Sequence, residues 1–204
     1  MKKILTLLLA IIALVSIPLT VSAEKDKWKD EDYNFKKIKN VVIADISVVD
    51  PNRATYIADL GLTEELKTTL HSAFSKRNVK VYVPGELNNS SPKYSPCPKI
   101  TIVVYGLGKY TERIKAYDEE ETVDKKEVGK DEHGKDVVVT VPTKEIVHHP
   151  ARDVWHAIAD ISFVVTDGSK QIYTVRDSRE RSSEQDPSGM LGRICKDFAK
   201  DITK

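Results

Sequence analysis

The sequence predicts an α+β domain, namely a mixed β-sheet of about five to six strands with two amphipathic helices packed on it. Several segments carry apolar residues at every second position, which is the spacing of a strand with one buried face. Two other segments carry them every three or four positions, which is the spacing of a helix with one buried face. Only one clear β-α-β crossover occurs and the second half is rich in strands, so a doubly wound parallel fold is not favoured.

The clearest strand signal lies in residues 155–181 and predicts a β-hairpin. Apolar residues occupy every second position of its first half, and this parity places Phe163 on the buried face with Ile161. Asp167-Gly168-Ser169 supplies the turn, because Asp bonds its own backbone and Gly tolerates positive φ. A three-residue loop pairs Phe163 with Tyr173, whereas a two-residue loop shifts the pairing by one residue. Side-chain matching favours the three-residue loop.

The other elements follow from similar patterns. Residues 38–49 are apolar on both faces, which is typical of a central strand. An apolar stripe from Leu62 onwards predicts a helix with Thr63 as its N-cap. A last stripe predicts a closing helix with Asp186 as N-cap and Pro187 at the first helical position. The remaining predicted elements are a strand over 79–83, a surface loop over 84–98, a strand over 99–111 and a strand over 137–141.

A dense run of mixed charge extends from Asp118 to Asp136. Such runs are usually solvated surface, so we expect a charged hairpin or loop that protrudes at about 112–147.

The first residues have the features of a secretory signal peptide. Two lysines and an apolar run over 4–17 precede Val21-Ser22-Ala23, a small-residue cleavage site. An uncleaved anchor is the alternative, but a span needs about 20 apolar residues and this run is interrupted by Pro18 and polar residues. No cysteine follows the apolar run, so the lipid-attachment site of a bacterial lipoprotein is not seen there. We therefore expect a signal peptide over 1–23, and a periplasmic or extracellular product that is soluble and not stably inserted in a membrane.

The near-neutral charge of the chain argues against nucleic acid and anionic membranes as partners. Removal of residues 1–23 takes away two lysines, so 32 basic residues become 30 against 31 acidic ones, a formal charge of −1. A protein that binds nucleic acid or an anionic membrane normally has a basic excess, and we expect neither partner. We expect residues 24–37 to form an N-terminal arm and residues 38–204 to form a single domain, since this length suffices for one core.

Cys97 and Cys195 are the only cysteines. In an exported chain such a pair predicts one disulfide. The alternative is that Cys195 fills the apolar face of the last helix as a free thiol.

His148, His149 and His156 form the candidate metal site, with Asp153 and Asp160 as possible oxygen donors. The spacing of these histidines is not that of a recognised metal motif. In addition, adjacent residues on an extended chain, such as His148 and His149, point in opposite directions. A surface linker is the competing interpretation.

Arg179, Glu180 and Arg181 are candidates for binding a partner's carboxylates, although exposed charges at a strand end explain them equally well. No Gly-x-Ser-x-Gly elbow is present, so no catalytic residue is identified. Gly106-Leu-Gly108 is not a phosphate loop, and we expect no cofactor. Both glycines indicate instead a bulge, a bend or close packing by another element.

The layout resembles that of small α+β domains of bacterial cell-envelope proteins, of the TolB N-terminal and curli-secretion-lipoprotein type. The resemblance extends over residues 38–203 and rests on the signal peptide, the strand Val-Val-Ile-Ala-Asp, an amphipathic helix, the strand Ile-Thr-Ile-Val-Val-Tyr-Gly, a late hairpin and a closing helix. It implies a non-catalytic envelope or assembly role with a protein partner. The absence of a lipid-attachment cysteine departs from the lipoprotein members.

These observations predict an exported binding or assembly factor rather than an enzyme. We expect its contact elements to be residues 117–136 and the group Arg179, Glu180 and Arg181. The alternative function is that of a secreted, metal-assisted hydrolase that uses the region of His148.

Overall fold

The computed structural model describes residues 23–49, 51, 53–83 and 97–204. The predicted signal peptide, except its last residue, lies outside the described residues, as does most of the predicted loop at 84–98. Within these ranges, no helix is long and apolar enough to cross a membrane.

The described residues form nine β-strands and two α-helices, together with one short 3-10 turn at Phe35–Lys37. The strands are β1 (Ala23–Lys29), β2 (Asn40–Val48), β3 (Ile57–Ala58), β4 (Lys80–Tyr82), β5 (Lys99–Ile114), β6 (Tyr117–Lys130), β7 (Asp136–His149), β8 (Arg152–Asp167) and β9 (Lys170–Ser182). The helices are α1 (Leu60–Ser75) and α2 (Ser188–Asp201).

Seven strands form one mixed sheet in the order β1-β9-β8-β5-β2-β4, with β3 paired to β5. β2 is parallel to both β4 and β5, whereas β9 is antiparallel to β1 and β8. The other two strands, β6 and β7, form a separate antiparallel sheet. The chain accordingly divides into two compact units: one runs to Thr111 and resumes at Trp155, and the other is Glu112–Val154.

The predicted fold class is wrong, because strands dominate the described chain. The main sheet has seven strands instead of the predicted five to six, and a second sheet is present. The two helices, of 16 and 14 residues, lie where their apolar stripes predicted them. The difference arises in residues 24–37, predicted as an arm, and in residues 112–147, predicted as a charged hairpin or loop with a strand only over 137–141. A strand needs only its backbone hydrogen bonds, so charged residues are compatible with it. The charged side chains of β6 and β7 are mostly exposed, whereas Lys25 and Lys27 of β1 pair with Asp201.

The core lies between the two helices and one face of the main sheet. The predicted parity of β8 is confirmed, since Phe163 and Ile161 are fully buried. Phe198 of α2 stacks on Phe163, with ring centroids 4.1 Å apart, and contacts Phe74 of α1 edge-on at 5.9 Å. Tyr173 of β9 lies 5.9 Å from the same ring. One aromatic side chain of α2 therefore joins both helices to the sheet.

The register of the β8–β9 hairpin differs from both registers considered. Gly168 and Ser169 form the turn, with Gly168 at φ +59°, and Phe163 lies opposite Val175 rather than Tyr173. A β-bulge opposite Val165 and Thr166 inserts one extra residue, Ile172, into β9. The alternation of β8 identifies its buried face, but it does not reveal a bulge in the partner strand, which changes the pairing.

The helix starts also differ from prediction by a few residues. The cap of α1 is Asp59, whose Oδ1 accepts a hydrogen bond from the Leu62 N–H at 3.0 Å, so the assignment of Thr63 as the N-cap is wrong. Asp186 Oδ1 does accept the Ser188 N–H at 2.8 Å, although α2 begins at Ser188 itself. Asp suits both places because its short side chain reaches the first free N–H groups of a helix.

Gly108 is required by the close approach of β3 to β5. A Cβ at this position would lie 2.1 Å from the carbonyl oxygen of Ile57, a backbone atom that can move only with its strand. We expect Gly108→Ala to lower the free energy of unfolding by at least about 1–3 kcal/mol, the usual range for overpacking. Urea denaturation followed by circular dichroism measures this.

Gly106→Ala is the matched control. A Cβ there would lie 3.4 Å from Cδ1 of Ile158, the flexible end of a side chain, and a smaller loss is expected. Equal losses at Gly106 and Gly108 would contradict the packing explanation.

Candidate functional site

The unit Glu112–Val154 is built around the pairing of β6 with β7, which we call the ladder. Each strand has 14 residues, and the register runs from Tyr117 opposite His149 to Lys130 opposite Asp136. Asp131 closes the turn, because its Oδ1 accepts hydrogen bonds from the N–H groups of His133 and Lys135, each at 2.9 Å.

The ladder exposes apolar side chains on both faces, because a two-stranded sheet has no second layer to cover them. Val128 and Val138 lie opposite each other and are 72% and 66% exposed. Ile146, on the same face, is 77% exposed. The opposite face carries Val137, Val139 and Val141, all of them exposed. Such a concentration of exposed β-branched residues is uncommon on the surface of a protein.

Ion pairs cross the ladder between these apolar residues. Lys144 pairs with Glu120, and Lys125 pairs with Glu145. In each pair the hydrogen bond to the carboxylate raises the pKa of the lysine. Because all four side chains are exposed, each pair contributes little to stability. The ladder is therefore held mainly by its backbone hydrogen bonds and presents mixed charge among valines.

Near the open end of the ladder, His149 meets two carboxylates. Its Nε2 lies 3.2 Å from Glu121 Oε1 and 3.7 Å from Glu119 Oε2. The ring stacks on Tyr117, with centroids 4.7 Å apart and planes at 15°. On the opposite face, His148 Nδ1 lies 2.6 Å from Asp118 Oδ1. The predicted metal group is thus divided: His148 and His149 face opposite sides of the ladder.

The third predicted metal ligand, His156, belongs to the other unit and to a different network. Its ring stacks on Tyr110 at 4.8 Å, and its Nδ1 lies 3.1 Å from Glu180 Oε1 and 3.3 Å from Ser182 Oγ. The Tyr110 hydroxyl donates to Glu180 Oε1, and burial together with this bond raises the pKa of Tyr110 to about 12. The Arg53 guanidinium covers the Tyr110 ring at 4.2 Å. In a catalytic Ser-His-Asp triad, the serine and the carboxylate bind opposite nitrogens of the imidazole. Ser182 and Glu180 both approach Nδ1 of His156, so this group does not have the arrangement of a triad.

The predicted contact group Arg179, Glu180 and Arg181 does not form one patch. Successive residues of β9 point to opposite faces, so Glu180 joins the Tyr110 network while the two arginines face the side of α2. Arg179 donates two hydrogen bonds to Asp177, at 2.7 and 2.8 Å, and one to Asp197 at 2.9 Å. The bonds to Asp177 raise the pKa of Arg179. Arg179 therefore joins β9 to α2 rather than offering a free cation.

Both cysteines are free thiols in the structure, in contrast to the predicted disulfide. Cys195 is fully buried on the inner face of α2, and burial raises the pKa of its thiol to about 12. Cys97 is half-buried just before β5. Cys195 thus fills an apolar helix face, which was the alternative to the disulfide.

Glu119 and Glu121 were not identified as site residues from the sequence, because they stand within a run of acidic residues. Their spacing of two positions was the available signal, because it places both carboxylates on one face of a strand.

Comparisons with solved structures find distant matches, among them two structures of a PelC dodecamer. A dodecamer of a PelC point variant from Paraburkholderia phytofirmans, in space group C2, matches with a TM-score of 0.46 and 9% identity over 89% of this chain and 97% of that chain. The PelC dodecamer from the same organism, in space group P6, matches with a TM-score of 0.45 and 8% identity over the same shares. No protein-family model and no curated protein matches the chain. Similarity at this level assigns neither a family nor a function.

Proposed function

We propose that this chain is an exported cell-envelope protein, periplasmic or secreted, that acts as a non-catalytic binding or assembly factor. The ladder is the surface through which it contacts a protein partner. Export rests on the signal-peptide features of residues 1–23, and the binding role rests on one observation. This is the exposure of apolar side chains on both faces of a two-stranded sheet that no second layer covers.

The energetics of small sheets support this role. A two-stranded sheet is only marginally stable in water, and packing against another element stabilises it. A partner bound to the ladder would supply such packing. Val128, Val138 and Ile146 offer apolar contact area on one face, and the ion pair of Lys144 with Glu120 adds both signs of charge to that face. The ion pair of Lys125 with Glu145 does the same for the face of Val137, Val139 and Val141. Apolar contact contributes affinity, whereas charge of both signs selects the partner and its orientation. The surface fits a protein partner with an apolar patch bordered by mixed charge.

Removal of the ladder tests the proposal. Arg113 Nη1 lies 3.0 Å from Asp153 Oδ1, so the two ends of this unit are close enough to be joined by a short turn. We expect replacement of residues 117–149 by Asn-Gly to leave the thermal midpoint of the other unit nearly unchanged. Proteins crosslinked to the chain in the intact envelope, identified by mass spectrometry, should fall at least about tenfold, which corresponds to roughly 1.4 kcal/mol of binding energy.

Point variants separate the surface from the loss of a whole unit. The double variant Val128→Ser/Val138→Ser removes the most exposed directly paired valines and should weaken crosslinking in the same direction. Val48→Ser is the matched control, because Val48 is a strand valine of the other unit and is 58% exposed. Crosslinking that survives removal of the ladder, or that falls equally with Val48→Ser, would overturn the proposal.

A further inference from the structure

Three metal-binding side chains converge on one face of the ladder. Glu119 and Glu121 lie two positions apart on β6, and His149 of β7 projects from the same face. The ligating atoms of the three side chains all lie within 4.8 Å of one another. The group draws on both strands, so it is produced by the register of the ladder and not by a local sequence motif.

The separations fit a single small cation. Zinc binds imidazole nitrogen and carboxylate oxygen at about 2.0–2.2 Å in a tetrahedral arrangement, which places neighbouring ligand atoms roughly 3.4 Å apart. The observed separations from His149 Nε2 are 3.2 Å to Glu121 Oε1 and 3.7 Å to Glu119 Oε2. All three ligating atoms lie within 4.8 Å of one another, close to this spacing.

The charge of the group also favours a cation. Glu120 and Glu145 each have a lysine partner across the ladder. Glu119 and Glu121, in contrast, share His149 in the ion pairs of the described residues. An imidazole carries at most one positive charge, so the group stays negative whether or not His149 is protonated. A divalent ion neutralises both carboxylates at once.

The imidazole is held in the orientation that binding requires. Its ring stacks on Tyr117 and directs Nε2 toward the carboxylates. It is also the least exposed side chain of the group, at 31% against 56% and 45% for the two glutamates. A side chain that is already packed in the binding orientation loses less conformational entropy when the ion binds.

We propose that Glu119, Glu121 and His149 bind one divalent transition-metal ion, with zinc as the best fit. One nitrogen and two oxygen ligands favour zinc and the other late first-row transition metals over calcium and magnesium, which prefer oxygen ligands alone. Three protein ligands leave a coordination position open for water or for a group of the partner. This inference does not depend on the proposed partner, because the metal is bound by the chain alone.

Titration calorimetry of the full-length mature chain, stripped of metal with chelator, tests the site with zinc chloride. One equivalent of zinc should bind, and Glu121→Gln and His149→Asn should each weaken binding by more than about tenfold, as expected for the loss of a ligand. His148→Asn is the matched control, because His148 is the adjacent histidine but faces the other side of the ladder, beside Asp118. It should bind zinc as the wild type does.

Cobalt(II) gives a second readout that does not rely on affinity. Tetrahedral cobalt absorbs strongly in the visible range, and these bands should appear in the wild type and in His148→Asn but not in His149→Asn. Circular dichroism of each variant checks that the ladder is still formed. Absence of zinc binding by the wild type, equal weakening by His148→Asn and His149→Asn, or calcium binding as tight as zinc binding would each overturn the proposal.

Discussion

Phe163→Ala is expected to lower the free energy of unfolding by about 3–5 kcal/mol, the range for removal of a buried aromatic side chain. Phe163 is fully buried and stacks face to face on Phe198, with planes at 10° and centroids 4.1 Å apart. Phe198 in turn contacts Phe74 of α1 and Tyr173 of β9. The cavity would therefore open where both helices meet the sheet, at a place where neighbouring rings cannot easily collapse into it.

The neighbouring residue is the control for this prediction. Ser162 points to the opposite face of β8 and is half-buried, so Ser162→Ala should change stability by less than about 1 kcal/mol. Urea denaturation of both variants gives the two values directly. Similar losses at Phe163 and Ser162 would mean that the faces of β8 are assigned wrongly.

Arg179→Ala is expected to cost about 3–5 kcal/mol, as for other buried ion pairs from which one partner is removed. The side chain of Asp177 is only 4% exposed, and its two oxygens both accept from Arg179. Without the guanidinium this carboxylate would remain buried and uncompensated, and the link from β9 to Asp197 of α2 would also be lost.

Two further variants test the cause of that loss. Arg181→Ala removes a cation two positions away that pairs with the exposed Glu184, and it should cost less than about 1 kcal/mol. The double variant Asp177→Leu/Arg179→Met removes both buried charges and should be less destabilised than Arg179→Ala. If Arg179→Ala instead retained full stability and reduced only partner crosslinking, the original interpretation of Arg179 as a contact residue would stand.

Sequence periodicity predicted the buried parts of the fold more completely than the exposed ones. Phe163 was placed on the correct face, because burial requires apolar residues at every second position of a strand. β1 was missed, and the segment of β6 and β7 was predicted only as a charged hairpin or loop with a strand over 137–141, because pairing through the backbone does not require a buried apolar face. The pairing of Phe163 was missed because a bulge is decided by local geometry near the turn.

The candidate metal site was predicted only in part, for a related reason. His149 was identified because histidine is a frequent metal ligand, and its neighbour His148 was included on the same ground. Glu119 and Glu121 could not be distinguished from the other acidic residues of their run. Which of these carboxylates meets His149 depends on the register of the ladder, and this register is set by the turn at Asp131.

The position of β1 has a consequence for the order of folding. Among the described strands its neighbour in the sheet is β9 alone, and Lys25 and Lys27 both reach Asp201 of α2, at 3.2 and 3.0 Å. Lys25 and Asp201 are 176 residues apart in the chain. The first strand therefore cannot find its place until almost the entire chain is available, and contacts of such long range slow folding. This edge of the sheet therefore stays unpaired during synthesis until β9 and α2 have been made.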